Sequence, residues 1–170
     1  MDIETEHLYN MTSKLTVLFV EDDDDTRLDS VDMLEALFKD VYWANDGAEG
    51  LKKYLKYYEE NGNYVDLVIS DIMMPKLSGI DMAKEMVKYN KEQQIIFISA
   101  YEDSDYLVDL IDIGVSSFIS KPIAYDTLKS VLHKNCIQIE TNALQNEKNP
   151  NSMNDNNIIK KNHSYVKKRS

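Results

Sequence analysis

Residues 15–25 read LTVLFVEDDDD, a β-rich apolar run that stops at five consecutive acids. Such a run predicts a buried strand that ends where the acids begin. Apolar residues at helical spacing follow between Leu28 and Phe38, and Asp24 or Asp25 is the expected N-cap of that helix. Strand, acidic turn and helix form the unit from which the rest of the chain can be interpreted.

The same unit recurs four more times along the chain. Short β-rich runs predict four further strands, and an apolar stripe predicts a helix after each one. The strands are expected at 41–43, 65–70, 95–98 and 115–119, and the helices at 48–58, 80–87, 106–111 and 128–132. This alternation predicts an α/β fold with a five-stranded, doubly wound parallel sheet. Right-handed crossovers then bring the C-terminal ends of all five strands to one edge.

Polar side chains follow the strands at this edge. Glu21 and Asp22 come after the first strand, Asp71 after the third, Ser99 after the fourth and Lys121 after the fifth. Ligand sites of open parallel sheets form where such strand ends meet. We therefore expect three carboxylates, one hydroxyl and one ammonium group to lie close together.

This set of groups suits a divalent cation and a phosphoryl group. Two carboxylates about 4 Å apart repel by about 4 kcal/mol at an effective dielectric of about 20, so three of them need a counter-charge. Oxygen ligands without His or Cys favour Mg²⁺. Asp71 can act as a nucleophile toward phosphorus, and a phosphoryl group carries close to two negative charges. Mg²⁺, Ser99 and Lys121 would supply its partners. Acids are also common in the first turn of a helix, where they interact favourably with the helix dipole. That explanation suits residues 23–25 of the run better than Glu21 and Asp22, which belong to the strand end.

Length, composition and charge limit the class of protein. The chain has 170 residues, 43% hydrophobic and 29% charged, as expected for one globular domain with a leftover segment. It lacks a signal-peptide pattern and any apolar run of membrane-spanning length, and its one cysteine, Cys136, excludes an internal disulfide. These features predict a cytoplasmic protein. The net charge is −11, and residues 148–170 carry +5, which leaves −16 elsewhere and disfavours nucleic-acid binding.

Composition divides the chain into three segments. An acidic N-terminal extension covers residues 1–13, the folded domain covers 14–136, and an Asn/Lys-rich tail covers 137–170. Asparagines crowd residues 149–157, and so polar a stretch cannot bury enough apolar surface to offset its ordering entropy. We expect the tail to be partly helical at its start and disordered beyond, with no second folded domain.

Four motifs, in this order and at this spacing, resemble a known family. They are VLFVEDD at 17–23, VISDIMMP at 68–75 with Gly79 after it, ISA at 98–100, and Lys121-Pro122. Over roughly residues 14–135 the chain resembles the response-regulator receiver domain of two-component signalling. The resemblance implies a flavodoxin-like (βα)5 fold of the chemotaxis-regulator type.

The resemblance implies a role for each residue at the sheet edge. Asp71 would accept a phosphoryl group from the histidine of a sensor kinase or histidine phosphotransfer protein. Mg²⁺ would bind Glu21, Asp22, Asp71 and the backbone carbonyl of Met73. Lys121 would bind the phosphoryl group, Ser99 would be the switch hydroxyl and Phe118 the switch aromatic. The face formed by the fourth helix, fifth strand and fifth helix would then signal to a downstream protein, and a phosphorylation-dependent homodimer is compatible with this scheme.

Two other functions are weighed against the receiver. A haloacid-dehalogenase-like phosphatase would carry an acid two residues after its nucleophilic aspartate, where this chain has Met73. Phosphorylation-independent pseudo-receivers usually lack an acid, the lysine or the acceptor, all of which are present here. We therefore expect no enzymatic activity beyond self-phosphorylation and self-dephosphorylation. Bulky Met73 and Tyr101 flank the path of an attacking water, which allows a long-lived phosphoryl state.

Overall fold

The computed structural model describes residues 3–100, 109–115 and 117–148, and it contains the predicted parallel sheet. The strand order is β2-β1-β3-β4-β5, and every neighbouring pair is parallel. This is the doubly wound, flavodoxin-like order, so the predicted fold class is confirmed. The strands are β1 (Thr16–Val20), β2 (Asp40–Ala44), β3 (Leu67–Asp71), β4 (Gln94–Ser99) and β5 (Ser117–Ser120).

Helices cover both faces of the sheet. They are α1 (Ile3–Thr12), α2 (Asp24–Glu35), α3 (Gly47–Asn61), α4 (Gly79–Tyr89) and α5 (Tyr125–Lys148), and residues 109–112 are also helical. Alternate residues of β1 belong to opposite cores: Phe19 packs with α2 and α5, whereas Leu18 packs with α3 and α4. Within the described ranges, no helix is both long and apolar enough to cross a membrane.

Three local predictions are wrong. The third strand begins at Leu67, not at residue 65, and ends at Asp71. For the other two, the backbone shows why. The N-cap of α2 is Asp23, not Asp24 or Asp25, because Asp23 is still extended and its side chain accepts a hydrogen bond from the N–H of Thr26 at 2.8 Å. The fifth strand begins at Ser117, not at residue 115. The N–H of Val115 donates to the carbonyl of Leu110 at 2.9 Å, so it still belongs to the helix end.

Both terminal segments add helix to the predicted domain. The extension 1–13 contains α1, whose Leu8 is 2% exposed and joins the core formed by α2 and α5. The ring centroid of His7 lies 5.4 Å from that of His133 on α5. The last helix runs on to Lys148, so the start of the 137–170 segment is helical. The predicted disorder concerns residues 149–170, which lie outside the described residues, and the domain boundaries at 14 and 136 stay predictions.

Candidate phosphoacceptor site

The predicted site residues emerge from the C-terminal ends of four strands. Glu21 directly follows β1, and its N–H donates to the carbonyl of Ala44 in β2 at 3.1 Å. Asp71 and Ser99 are the last residues of β3 and β4. Lys121 directly follows β5, and its N–H donates to the carbonyl of Ser99 at 2.8 Å. We call this common edge of the sheet the site edge.

Lys121 joins two of the predicted carboxylates. Its Nζ lies 2.8 Å from Oε2 of Glu21 and 2.7 Å from Oδ2 of Asp71. These residues are 100 and 50 positions away from it in sequence, so the fold alone creates the contact. The peptide bond between Lys121 and Pro122 is cis. An ammonium group therefore lies between two acids that would otherwise repel each other.

Glu21, Asp22 and Asp71 form an acidic cluster of the size that one small cation needs. One carboxylate oxygen of each lies within 4.8 Å of the others. Octahedral Mg²⁺ holds its ligands at about 2.0–2.1 Å, which places opposite ligands about 4.2 Å apart. Glu21 is 1% and Asp71 9% exposed, whereas Asp22 is open to solvent. The three residues therefore fit a divalent cation in number and type, and their oxygens lie close to the spacing that such an ion requires.

Burial and charge act against each other in this cluster. Burial raises the pKa of the Glu21 carboxyl group above its ordinary value, although the hydrogen bond from Lys121 opposes that rise. Burial alone would lower the pKa of the Lys121 ammonium group. The hydrogen bonds to Asp71 and Glu21 outweigh burial, so the pKa of Lys121 is raised. Lys121 therefore brings a stable positive charge to the site edge.

The loop after Asp71 is attached to neighbouring elements at three points. Oδ1 of Asp71 accepts a hydrogen bond from the N–H of Met73 at 3.3 Å. The N–H of Gly79 donates to the carbonyl of Ile72 at 2.9 Å, where α4 begins. Lys76 has a left-handed backbone (φ 65°), and its Nζ lies 2.6 Å from Oδ2 of Asp46, the N-cap of α3. The contact between Lys76 and Asp46 was not predicted, because no local pattern signals a lysine in this conformation.

The two predicted switch residues occupy different depths. Ser99 is buried at the site edge, with 3% exposure. Phe118 pairs with Phe97 across β4 and β5, two residues below the pair formed by Ser99 and Ser120, and packs on the α3 and α4 side. Tyr101 and the first half of the predicted fourth helix, residues 106–108, lie outside the described residues. The structure thus brings Glu21, Asp22, Asp71 and Lys121 together, with Ser99 at the same edge and Phe118 two residues before the end of β5.

A comparison with protein-family models matches residues 17–133 to the response regulator receiver domain. The chain belongs to this family. This match confirms the family predicted from the sequence motifs, the receiver domain of two-component response regulators. Family membership also favours the receiver over the phosphatase alternative.

Relatives of this receiver occur within larger proteins. It is 30% identical to the sensor kinase CckA of Brucella abortus over 135 residues, which are 77% of this chain and 14% of CckA. It is 31% identical to the transcriptional regulatory protein RprY of Bacteroides fragilis over 121 residues, 71% of this chain and 49% of RprY. The chain thus spans less than half of either relative.

One solved structure resembles this chain over nearly the whole of its own length. It is the complex CheX-CheY-BeF3-Mg+2 from Borrelia burgdorferi, with a TM-score of 0.62 and 25% identity. The match covers 80% of this chain and 97% of that one. The receiver architecture described above therefore accounts for most of the described residues.

Proposed function

We propose that this receiver is a phosphorylation-dependent switch in which Asp71 accepts a phosphoryl group from a phosphohistidine. The donor is a sensor histidine kinase or a histidine phosphotransfer protein. The observation that carries the proposal is the position of Lys121 Nζ, 2.7 Å from Asp71 and 2.8 Å from Glu21, beside three clustered carboxylates. Family membership supports the same donor class, because histidine kinases and response regulators are partners in two-component signalling.

The transfer is a displacement at phosphorus. A carboxylate oxygen of Asp71 forms the new O–P bond while the P–N bond of the phosphohistidine breaks. The electron pair of that bond stays on the imidazole nitrogen, which takes a proton from water. Lys121 donates to a phosphoryl oxygen and so offsets its negative charge. The hydroxyl of Ser99 donates to a second phosphoryl oxygen.

Glu21, Asp22, Asp71 and the backbone carbonyl of Met73 are the groups that would hold Mg²⁺. When bound, the ion offsets the negative charge of the phosphoryl oxygens. Glu21 is prepared for this role, since Oε1 accepts from the N–H of Asp23 at 3.2 Å and Oε2 accepts from Lys121. Both carboxylate oxygens are thus oriented before any ligand arrives.

The switch follows from the new charge on Asp71. Ser99 moves toward the phosphoryl oxygens, and Phe118 rotates into the space that Ser99 leaves. The face formed by the helix at 109–112, β5 and α5 then changes its shape and binds a downstream protein. Such a local charge change acts by shifting a two-state element, with no catalytic turnover of a separate substrate.

Intact-mass spectrometry after incubation with acetyl phosphate tests the proposal. The parent should gain one phosphoryl group in the presence of Mg²⁺ and lose it to hydroxylamine. Asp71→Asn should gain none, whereas Asp29→Asn, the same change at an exposed acid of α2, should be labelled like the parent. Asp22→Ala should need more Mg²⁺ for half-maximal labelling. Full labelling of Asp71→Asn would exclude Asp71 as acceptor, and an unlabelled parent would favour the pseudo-receiver.

A further inference from the structure

Arg27 is a buried cation directly behind the site edge. It lies on α2 and is only 7% exposed, although its side chain is charged. Its Nη1 donates to the carbonyl of Glu21 at 2.8 Å, its Nη2 pairs with Asp24, and its guanidinium carbon lies 5.0 Å from the ring centroid of Trp43. One side chain therefore connects the end of β1 with α2 and β2.

The contact with Glu21 acts on two carboxylates at once. The carbonyl of Glu21 and the N–H of Asp22 belong to the same planar peptide unit. If that unit rotates, the side chains of both residues change direction. The preceding peptide is held separately, because the N–H of Glu21 donates to Ala44 at 3.1 Å. Arg27 therefore holds the peptide plane on which the relative placement of Glu21 and Asp22 depends.

We propose that Arg27 is a positioning residue that fixes the Glu21–Asp22 peptide for cation binding at the site edge. The inference rests on the proposed function, since Glu21 and Asp22 are the acids assigned to Mg²⁺. Arg27 is not among the groups that would hold the cation, and its described hydrogen bonds and ion pair go to Glu21 and Asp24, not to Asp71. Its loss leaves the buried carbonyl of Glu21 without this donor, which favours a turn of the peptide toward another donor. The turn moves two of the three carboxylates away from their common centre.

Lys53 provides a matched control. Its Nζ lies 4.6 Å from the ring centroid of Trp43, donates to the carbonyl of Trp43 at 2.6 Å and pairs with Glu49 at 3.0 Å. Arg27 and Lys53 thus place a positive charge on the same indole ring, and the contacts of Lys53 lie on α3 and β2 rather than at Glu21. Lys53→Met removes a cation from Trp43 without changing the peptide that follows β1.

The test uses the full chain with three variants: Arg27→Met, Arg27→Lys and Lys53→Met. Mg²⁺ affinity is measured by titration calorimetry, and the initial rate of labelling by acetyl phosphate is measured against Mg²⁺ concentration. Arg27→Met should need about 10-fold more Mg²⁺, the lower end of what loss of an outer-shell partner costs, and keep its rate at saturating Mg²⁺. Arg27→Lys should fall between Arg27→Met and the parent, because one ammonium group cannot serve all three contacts. Lys53→Met should match the parent.

The outcomes separate this inference from the proposed function. Parent-like Mg²⁺ dependence in Arg27→Met overturns the role of Arg27 and leaves phosphorylation of Asp71 standing. A lower rate at saturating Mg²⁺ with unchanged half-saturation also overturns it, since Arg27 would then act in the chemistry. If Arg27→Met does not fold, parent-like half-saturation in Arg27→Lys overturns the inference. A parent that neither binds Mg²⁺ nor accepts phosphate overturns both.

Discussion

Replacing Gly79 by alanine should displace the end of β3, which carries the proposed acceptor Asp71. A Cβ atom at this position would lie 2.0 Å from the backbone oxygen of Asp71 and 3.0 Å from Oγ of Ser70. The oxygen cannot move aside freely, because Oγ of Ser70 donates to it at 2.8 Å and Asp71 is paired with Ile98 in the sheet. Gly79 is therefore required by the close approach of α4 to the end of β3.

The size of the effect follows from the distances. The new Cβ and the oxygen of Asp71 must separate by 1.4 Å, from 2.0 Å to the 3.4 Å at which ordinary contact begins. Overpacking of this kind costs about 1–3 kcal/mol and occasionally more, and the clash is with backbone, so we expect at least about 3 kcal/mol. For a chain of this length that lowers the melting temperature by about 6–12 °C. A displacement of 1.4 Å also exceeds what the 2.7 Å bond between Lys121 and Asp71 tolerates.

Gly62→Ala is the matched control. Gly62 has a left-handed backbone (φ 78°), and a Cβ there would meet nothing within 4 Å. Its substitution should cost about 1–2 kcal/mol of backbone strain and leave labelling by acetyl phosphate unchanged. Urea unfolding measures the loss of stability, and intact-mass spectrometry measures the labelling. If Gly79→Ala is no less stable than Gly62→Ala and is labelled as fast as the parent, the packing argument is wrong.

Two further predictions concern the stability contributed by residues outside the acidic cluster. Asp46→Ala should cost about 1 kcal/mol in urea unfolding at pH 7, because Asp46 caps α3 through the N–H of Glu49. The hydrogen bond from Lys76, together with that from the N–H of Glu49, lowers the pKa of Asp46. Asp46 therefore contributes its full stabilisation above about pH 4, and this contribution is lost as the pH falls through the folded-state pKa. A stability difference between parent and variant that stays constant down to pH 2 would contradict this. Leu8→Ala should lower the free energy of unfolding by about 2–5 kcal/mol, since Leu8 is 2% exposed. Tyr9→Ala, at a side chain that is 44% exposed, should lower it by less than about 1 kcal/mol. Equal losses in the two variants would mean that α1 does not pack as described.

The sheet and the meeting of acids with Lys121 could be predicted because they follow from topology. Once strands and helices alternate, the strand ends must share an edge, however far apart they lie in sequence. The contact between Lys121 and Glu21 spans 100 residues and still required no knowledge of packing. The residues at which helices begin were harder to predict from the sequence. Four aspartates follow Glu21, and only the direction of the chain leaving β1 makes Asp23 the cap.

Features that depend on distant packing could not be predicted. The first helix carries few buried apolar residues, Leu8 and Met11 among them, so its sequence shows no helical stripe. The surface that stabilises it belongs to α5, more than 100 residues later. Arg27 presents the same difficulty, because a charged residue one turn into an acidic helix is typical of an exposed position. Its burial depends on Trp43, which approaches from β2.

In the proposed mechanism, the charge at the site edge makes phosphorylation depend on metal binding. Three carboxylates and the ammonium group of Lys121 have a formal charge of −2, which a divalent cation balances. Without that balance, a phosphoryl donor with close to two negative charges approaches a site that repels it. Screening weakens this repulsion only in part, because Glu21 and Asp71 are buried. The need for Mg²⁺ in labelling should therefore persist at high salt, whereas an effect of exposed acids such as Asp24 and Asp25 should fade as salt is added.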